Sequence, residues 1–339
     1  MDSNIQQVAE NLVQKAGFQN DMILSPIESG GNNRVFKVNS GGHSFLLKFY
    51  FYHESDSRDR LKNEFSFISF CWNQGISLVP KPFASDRSNR AALYEFIQGR
   101  KPNPDEVTQD LINQSLDFFL QVNSLKDNPD AHRLPDASDA CFSVNEHVDS
   151  VDRRVKRLQS IRGTDTISHE AVDFINNRLA PEWVALRNRV LKEAKTYSID
   201  PDALIQSDDR CLSPSDFGFH NAIIEQNNKL RFIDFEYAGW DDPAKMVCDF
   251  FCQPAVPVPM SYFDMFVEAV VNCFPEPEKV YHRIKILFPI HQIKWACIML
   301  NDFHPIDSLR RKFAIVHDDE EKHRIFQLEK AHNALNCLQ

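Results

Sequence analysis

The chain has 339 residues, a formal net charge of −10, 42% apolar residues and eight cysteines. So acidic a balance argues against nonspecific nucleic-acid binding, which needs a basic face, and no segment approaches the roughly 18 uninterrupted apolar residues of a membrane span. The cysteines form no CxxC pair, so neither a zinc site nor a disulfide framework is indicated, and reduced thiols in a cytoplasm are expected.

In chain order, residues 3–16 carry Ile5, Val8, Ala9, Leu12, Val13 and Ala16 at helical spacing, with Ser3 and Gln6 placed as a capping box and Gly17 as a stop. This start is acidic and amphipathic, not basic then apolar, so it is not read as a signal peptide. A strand-rich block follows: Met22–Ile27, the turn SGGNN, Arg34–Val38, a Ser40-Gly41-Gly42 turn and His43–Phe51. Gly30-Gly31 lets a backbone approach a ligand and aim N–H groups at phosphates, although by itself such a turn is more often a plain hairpin. In HSFLLKFYF, Leu46, Lys48 and Tyr50 share one strand face, and Phe45, Leu47 and Phe49 share the other. A lysine there either snorkels to an edge or meets a buried anion.

The helix expected around 58–74 has an apolar stripe of Leu61, Phe65, Ile68 and Trp72, with Glu64 on its edge. An ionised carboxylate facing a core needs a countercharge, for which Lys48 is the candidate; otherwise Glu64 rims the helix. A strand pair leads to Ala91–Ile97 and the break at Gln98-Gly99. Helices are expected at 105–125, 144–160, 168–196 with an interruption at Pro181, and from roughly 259 to 338. Phe263, Phe266, Val267, Val270 and Phe274 read as core, the histidines between 282 and 332 as solvated helix faces, and the run Asp318 to Glu321 as an exposed helix start.

The stretch Leu212–Phe251 carries the chemistry. Ala222, Ile223 and Ile224, then Leu230, Phe232 and Ile233, flank a turn centred on Asn227-Asn228. With a two- or four-residue loop this centre sets Asn221 opposite Asp234, their Cβ atoms about 5 Å apart on one face. An amide oxygen and a carboxylate suit Mg²⁺, and Asp216, five residues before Asn221, lies near enough to handle a substrate proton.

Asp-x4-Asn, a short hairpin and Ile-Asp-Phe-Glu in that order resemble the catalytic core of the aminoglycoside phosphotransferase and choline kinase family, a branch of the protein-kinase-like fold. The resemblance implies an α+β, two-lobed fold. A small antiparallel-sheet lobe, residues 1–98, would bind nucleotide; a larger, mostly helical lobe, 99–339, would carry the catalytic loop and acceptor site. It implies Asp216 as catalytic base and Asn221 and Asp234 as the groups holding Mg²⁺ on the ATP phosphates. Lys48, placed by Glu64, would contact phosphate beneath the turn containing Gly30, Gly31 and Asn33. Tyr94-Glu95-Phe96-Ile97-Gln98-Gly99 resembles the family hinge, where backbone groups of Glu95 and Ile97 would meet adenine.

Glu236 and Asp241 become candidate contacts for a cationic acceptor and Trp240 a ring surface beside it, while Asp242-Pro243 reads as a helix cap. The chain departs from the family at Pro214-Ser215-Asp216, where His-Gly-Asp is usual. It also lacks the Asp-Phe-Gly and Ala-Pro-Glu pattern of protein kinases, which favours a small acceptor, a sugar, aminosugar or amino alcohol, over a protein. The expectation is a cytoplasmic, ATP- and Mg²⁺-dependent small-molecule kinase with no nucleic-acid or membrane partner. The alternatives are a pseudokinase that binds nucleotide as a regulator or scaffold, and an unrelated α+β enzyme.

Overall fold

The computed structural model describes residues 3–18, 21–27, 33–54, 56, 58–304 and 320–338. Five antiparallel strands, β1 (Met22–Ile27), β2 (Asn33–Ser40), β3 (His43–Tyr50), β4 (Pro82–Asp86) and β5 (Ala91–Glu95), form one sheet in the order β1-β2-β3-β5-β4. Strand β3 lies at its centre, and its alternation divides the surroundings. Phe45 and Leu47 join Val8, Leu12 and Val13 of helix α1 (Ser3–Lys15) in one small core. Tyr50 joins Leu61, Phe67 and Ile68 of helix α2 (Arg60–Asn73) in the main core, which runs on into the helical part. Both faces are covered, so Lys48 has no route to an edge: it is 5% exposed.

Helix α2 is rotated from the expected stripe. Its buried side is Leu61, Glu64, Phe67, Ile68 and Cys71, with Phe65 and Trp72 half-buried. Glu64 therefore lies in the middle of the buried face, because an ion pair waits there for it. Asp59 caps the helix by accepting the Lys62 N–H.

The rest is mostly helical: α3 (Gln109–Asn123), α4 (Val144–Gln159), α5 (Thr166–Phe174), α6 (Ala180–Thr196), α7 (Pro243–Cys252), α8 (Phe263–Val271), α9 (Pro277–Met299) and a last described helix, Glu320–Asn336. The interruption expected at Pro181 is milder than a break. Residues Ile175–Leu179 form a single π-helical turn between α5 and α6, which absorbs the missing N–H of Pro181 without separating them. Phe266, Val267, Val270 and Phe274 are core as expected. Asp318 and Asp319 lie outside the described residues, as does the side chain of Ser3; Glu320 and Glu321 open the last helix exposed. Among the described residues no helix is long and apolar enough to cross a membrane.

The histidine expectation is corrected at His291, which is 1% exposed. Its Nδ1 bonds Asp249 at 2.9 Å, its Nε2 lies 3.3 Å from Nδ1 of His147, and His147 Nε2 meets Asp242 at 3.1 Å. Lys294 reaches both Asp249 oxygens at 2.7 and 2.8 Å, Lys245 pairs with Asp241, and Arg283 pairs with Asp242. Helix α7 is thus docked by charge as well as by Met246, Val247 and Phe250.

Candidate active site

The segment from Cys211 to Asn221 leaves a short strand and sends two phenylalanines into the core. From strand β6 (Cys211–Ser213) the chain passes Pro214 to Ser215, whose N–H donates to Ser213 Oγ at 3.0 Å and whose φ is +68°. Serine thus holds the left-handed conformation for which glycine is better suited. Phe217 and Phe219 then turn into the core, both against Phe250, with ring centroids 5.1 and 5.8 Å from it. Gly218 lies between them, and Asp216 and His220, on either side of the pair, stay half-buried.

Asp216 and Asn221 are brought together. The Asn221 Nδ2 donates to the Asp216 carbonyl at 3.0 Å and to its Oδ2 at 3.2 Å. His220, which sequence reasoning overlooked, places Nε2 3.1 Å from Asp216 Oδ1. Burial would raise the Asp216 pKa, but the imidazole and amide beside it outweigh that and lower it below the ordinary carboxylate range.

The hairpin register differs from expectation. Strands β7 (Ala222–Ile224) and β8 (Leu230–Phe232) pair Ala222 with Phe232, Ile223 with Arg231 and Ile224 with Leu230. The turn is closed by the Glu225 N–H donating to Lys229 O at 2.9 Å, so its loop has an odd length and centres on Asn227, with Asn228 at φ +61°. Asn221 consequently faces Ile233, whose N–H donates to its carbonyl at 2.9 Å, and not Asp234. Asp234 has itself left the strand, at φ +69°. Cross-strand opposition therefore does not place its carboxylate; Lys48 does.

Lys48 Nζ bonds Glu64 Oε2 at 2.7 Å and also pairs with Asp234. Burial alone would depress its pKa, yet the carboxylates of Asp234, Glu64 and Glu236 hold it well above the ordinary lysine value. Glu64 also accepts the Tyr50 hydroxyl at 2.8 Å and the Phe235 N–H at 3.3 Å. Tyr50 and Tyr94 hydroxyls lie 2.7 Å apart behind it, and burial drives both phenol pKa values well up. Tyr50 was legible as a strand-face neighbour of Lys48; Tyr94, from another strand, was not. Phe67 stacks on Phe235 at 5.1 Å, so α2 fixes the 234–236 segment through one acid and one ring.

The remaining predicted residues divide. Gly30 and Gly31 lie outside the described residues. Asn33 is 4% exposed; its amide donates to Glu236 at 2.9 Å and accepts the Phe51 N–H at 3.2 Å. Glu236, at 1% exposed, also lies 3.7 Å from Arg60. Asp241 is fully buried, accepting from Lys245 and from the N–H groups of Cys141 and Asp242. These two acids are internal ties, which corrects the expectation of cation contacts. Trp240 donates to the Ala131 carbonyl at 3.1 Å and stacks near His132. Asp242 does cap α7, accepting the Ala244 N–H at 2.8 Å ahead of Pro243.

At the expected hinge, the Glu95 N–H donates to Lys81 O at 2.8 Å, and its carboxylate accepts the Lys81 N–H at 3.0 Å and Arg231 at 2.7 Å. The Ile97 N–H has no backbone partner among the described residues. Among those residues no three His, Cys, Asp or Glu side chains converge as a metal cage, but Mg²⁺ needs only one or two protein oxygens. The donor set fits it: the Asn221 amide nitrogen is engaged with Asp216, which leaves its oxygen to offer, and Asp234 is a partly exposed carboxylate.

Sheet, helical part and loop together define the protein-kinase-like fold. Solved structures agree across nearly the full chain: a spectinomycin phosphotransferase in complex with ADP and spectinomycin, at 14% identity and TM-score 0.58, covers 97% of this chain and 98% of its own. A Plasmodium vivax ethanolamine kinase, at 13% and 0.58, covers 91% and 82%, and a choline kinase from Streptococcus pneumoniae, at 13% and 0.56, covers 98% and 99%. No curated protein matches. The model of the phosphotransferase enzyme family matches residues 23–265, well over half of the chain, and the protein belongs to that family.

Proposed function

We propose that this protein is an ATP- and Mg²⁺-dependent phosphotransferase acting on a hydroxyl of a small molecule, a sugar, aminosugar or amino alcohol. The observation that carries the reading is the cluster in which Lys48 bridges Glu64 and Asp234 while Asp216 and Asn221 are hydrogen-bonded together. Residues 1–98 are assigned to nucleotide and 99–339 to acceptor, with adenine on the backbone of Glu95 and Ile97. Asn221 and Asp234 would hold Mg²⁺, which when bound neutralises phosphate charge. Lys48 adds a fixed positive charge at the phosphates, and Asp216 orients the acceptor hydroxyl and takes its proton. The burial of Glu236 and Asp241 removes the motive for requiring a cationic acceptor.

Acceptor-dependent ADP release over a panel of neutral sugars, aminosugars and amino alcohols tests this. Asp216→Ala should abolish turnover and keep Mg-ATP binding. Nucleotide binding with no turnover on any acceptor would instead favour the scaffold, and failure to bind Mg-ATP would discard both.

A further inference from the structure

We infer that His220 is a positioning residue for Asp216, supplying from the downstream side of the loop an anchor for the carboxylate. The inference rests on the phosphotransferase reading above and deepens it.

Among the described residues two bonds hold the Asp216 carboxylate, one to each oxygen: His220 Nε2 on Oδ1 at 3.1 Å and Asn221 Nδ2 on Oδ2 at 3.2 Å. The amide also serves the Asp216 carbonyl, and its oxygen is assigned to the metal, so His220 is the one partner whose engagement is with the side chain alone. An ionised carboxylate only accepts, so Nε2 carries the proton that faces it. The other ring nitrogen, Nδ1, is buried without a hydrogen-bond partner among the described residues. A side chain selected for packing would be apolar there. Burying an orphaned nitrogen is unfavourable, and the bond to Asp216 on the opposite side of the ring offsets it.

The backbone is shaped for the same contact. A Cβ at Gly218 would come within 2.9 Å of His220 Nδ1 and 3.0 Å of its Cε1, so the missing side chain at 218 is what lets the imidazole lie over the loop. Phe217 and Phe219, pinned in the core, fix the backbone between the two groups.

The test uses Mg-ATP with water as phosphoryl acceptor, alongside the best alcohol from the panel. His220→Leu should lower kcat about tenfold or more, as loss of orientation does, with KM for ATP and the urea midpoint close to those of the unsubstituted protein. His220→Gln, which returns an N–H near the same place, should recover most of the loss. The unsubstituted protein should show a downfield imidazole N–H proton resonance that disappears in both His220→Leu and Asp216→Ala, which removes the acceptor. Unchanged kcat in His220→Leu, equal losses in the Leu and Gln variants, or a resonance indifferent to Asp216→Ala overturns the inference. If the resonance behaves as stated but the unsubstituted protein turns over no ATP on any acceptor, the phosphotransferase reading fails and the positioning role falls with it.

Discussion

At the scale of single residues, the site is a set of charges that could not be buried separately. Lys48 is nearly solvent-free and tolerates it because two carboxylates share its charge. Glu64 tolerates the same burial through a lysine, a tyrosine hydroxyl and a backbone N–H. The Tyr50 and Tyr94 pair is therefore a support whose members depend on each other. Tyr50→Phe should destabilise the protein by about 1–3 kcal/mol, since it strips Glu64 of a donor and Tyr94 of its partner. The double variant with Tyr94→Phe should lose less than the two single losses added together, because the second change removes the orphaned hydroxyl. Urea unfolding of the four proteins measures this, and strict additivity would contradict the coupling.

At the scale of elements, α7 shows how a charged helix sits inside a core. Its buried neighbours form a chain, Asp242–His147–His291–Asp249; with His147 charged and His291 neutral, His147 donates to Asp242 and to His291, and His291 donates to Asp249. Burial would lower the His147 pKa, but Cys141 and Asp242 outweigh it and raise it to about 9; burial lowers His291 to about 3. The signs differ accordingly. Unfolded histidine titrates near 6.5, so the stabilisation from His147 is complete below about pH 6.5 and is lost as pH rises to 9. His291 acts at the other end: below about 6.5 the unfolded chain binds a proton that the folded one refuses, so stability falls toward pH 3. The difference in urea midpoint between the protein and His147→Gln should be largest at pH 6 and shrink by pH 9. A difference that does not change across that range would rule out a charged His147.

At the scale of the whole molecule, the connection from sheet to helical part is strapped to the β7–β8 hairpin. Arg100 and Ile224 exchange two backbone hydrogen bonds, at 3.1 and 2.8 Å, and Arg231 ties Glu95 and the Val79 carbonyl at 2.7 and 2.9 Å. Gly99 lies so close that a Cβ would collide with the Ile224 carbonyl and the Ile223 side chain. Gly99→Ala should cost about 1–3 kcal/mol of stability by overpacking and, under the proposed function, raise KM for ATP more than it lowers kcat, because it moves the proposed adenine hinge and not Asp216. Urea unfolding and steady-state kinetics check both halves, and a wild-type KM would show that the strap does not set the hinge.

The sequence by itself determined what is local. Strand alternation around Lys48, the helix carrying Glu64 and the Asp242-Pro243 cap follow from periodicity and turn chemistry over a few residues, and the order Asp216, Asn221, Asp234 is read from the family resemblance. Register was lost by one residue at Asn227-Asn228, since a two- or four-residue loop and an odd one share the same turn-forming side chains and differ only in how the backbone closes. The destinations of buried charges were lost for a related reason. Asp241 and Glu236 were read as contacts for a cationic acceptor because the family resemblance implies acids there, whereas Lys245 and Asn33 wait for them in the interior. His291, Tyr94 and His220 were decided by tertiary structure alone: a polar group's role is set by the partner that faces it when water is removed, and that partner comes from another segment of the chain or from a loop turned back on itself.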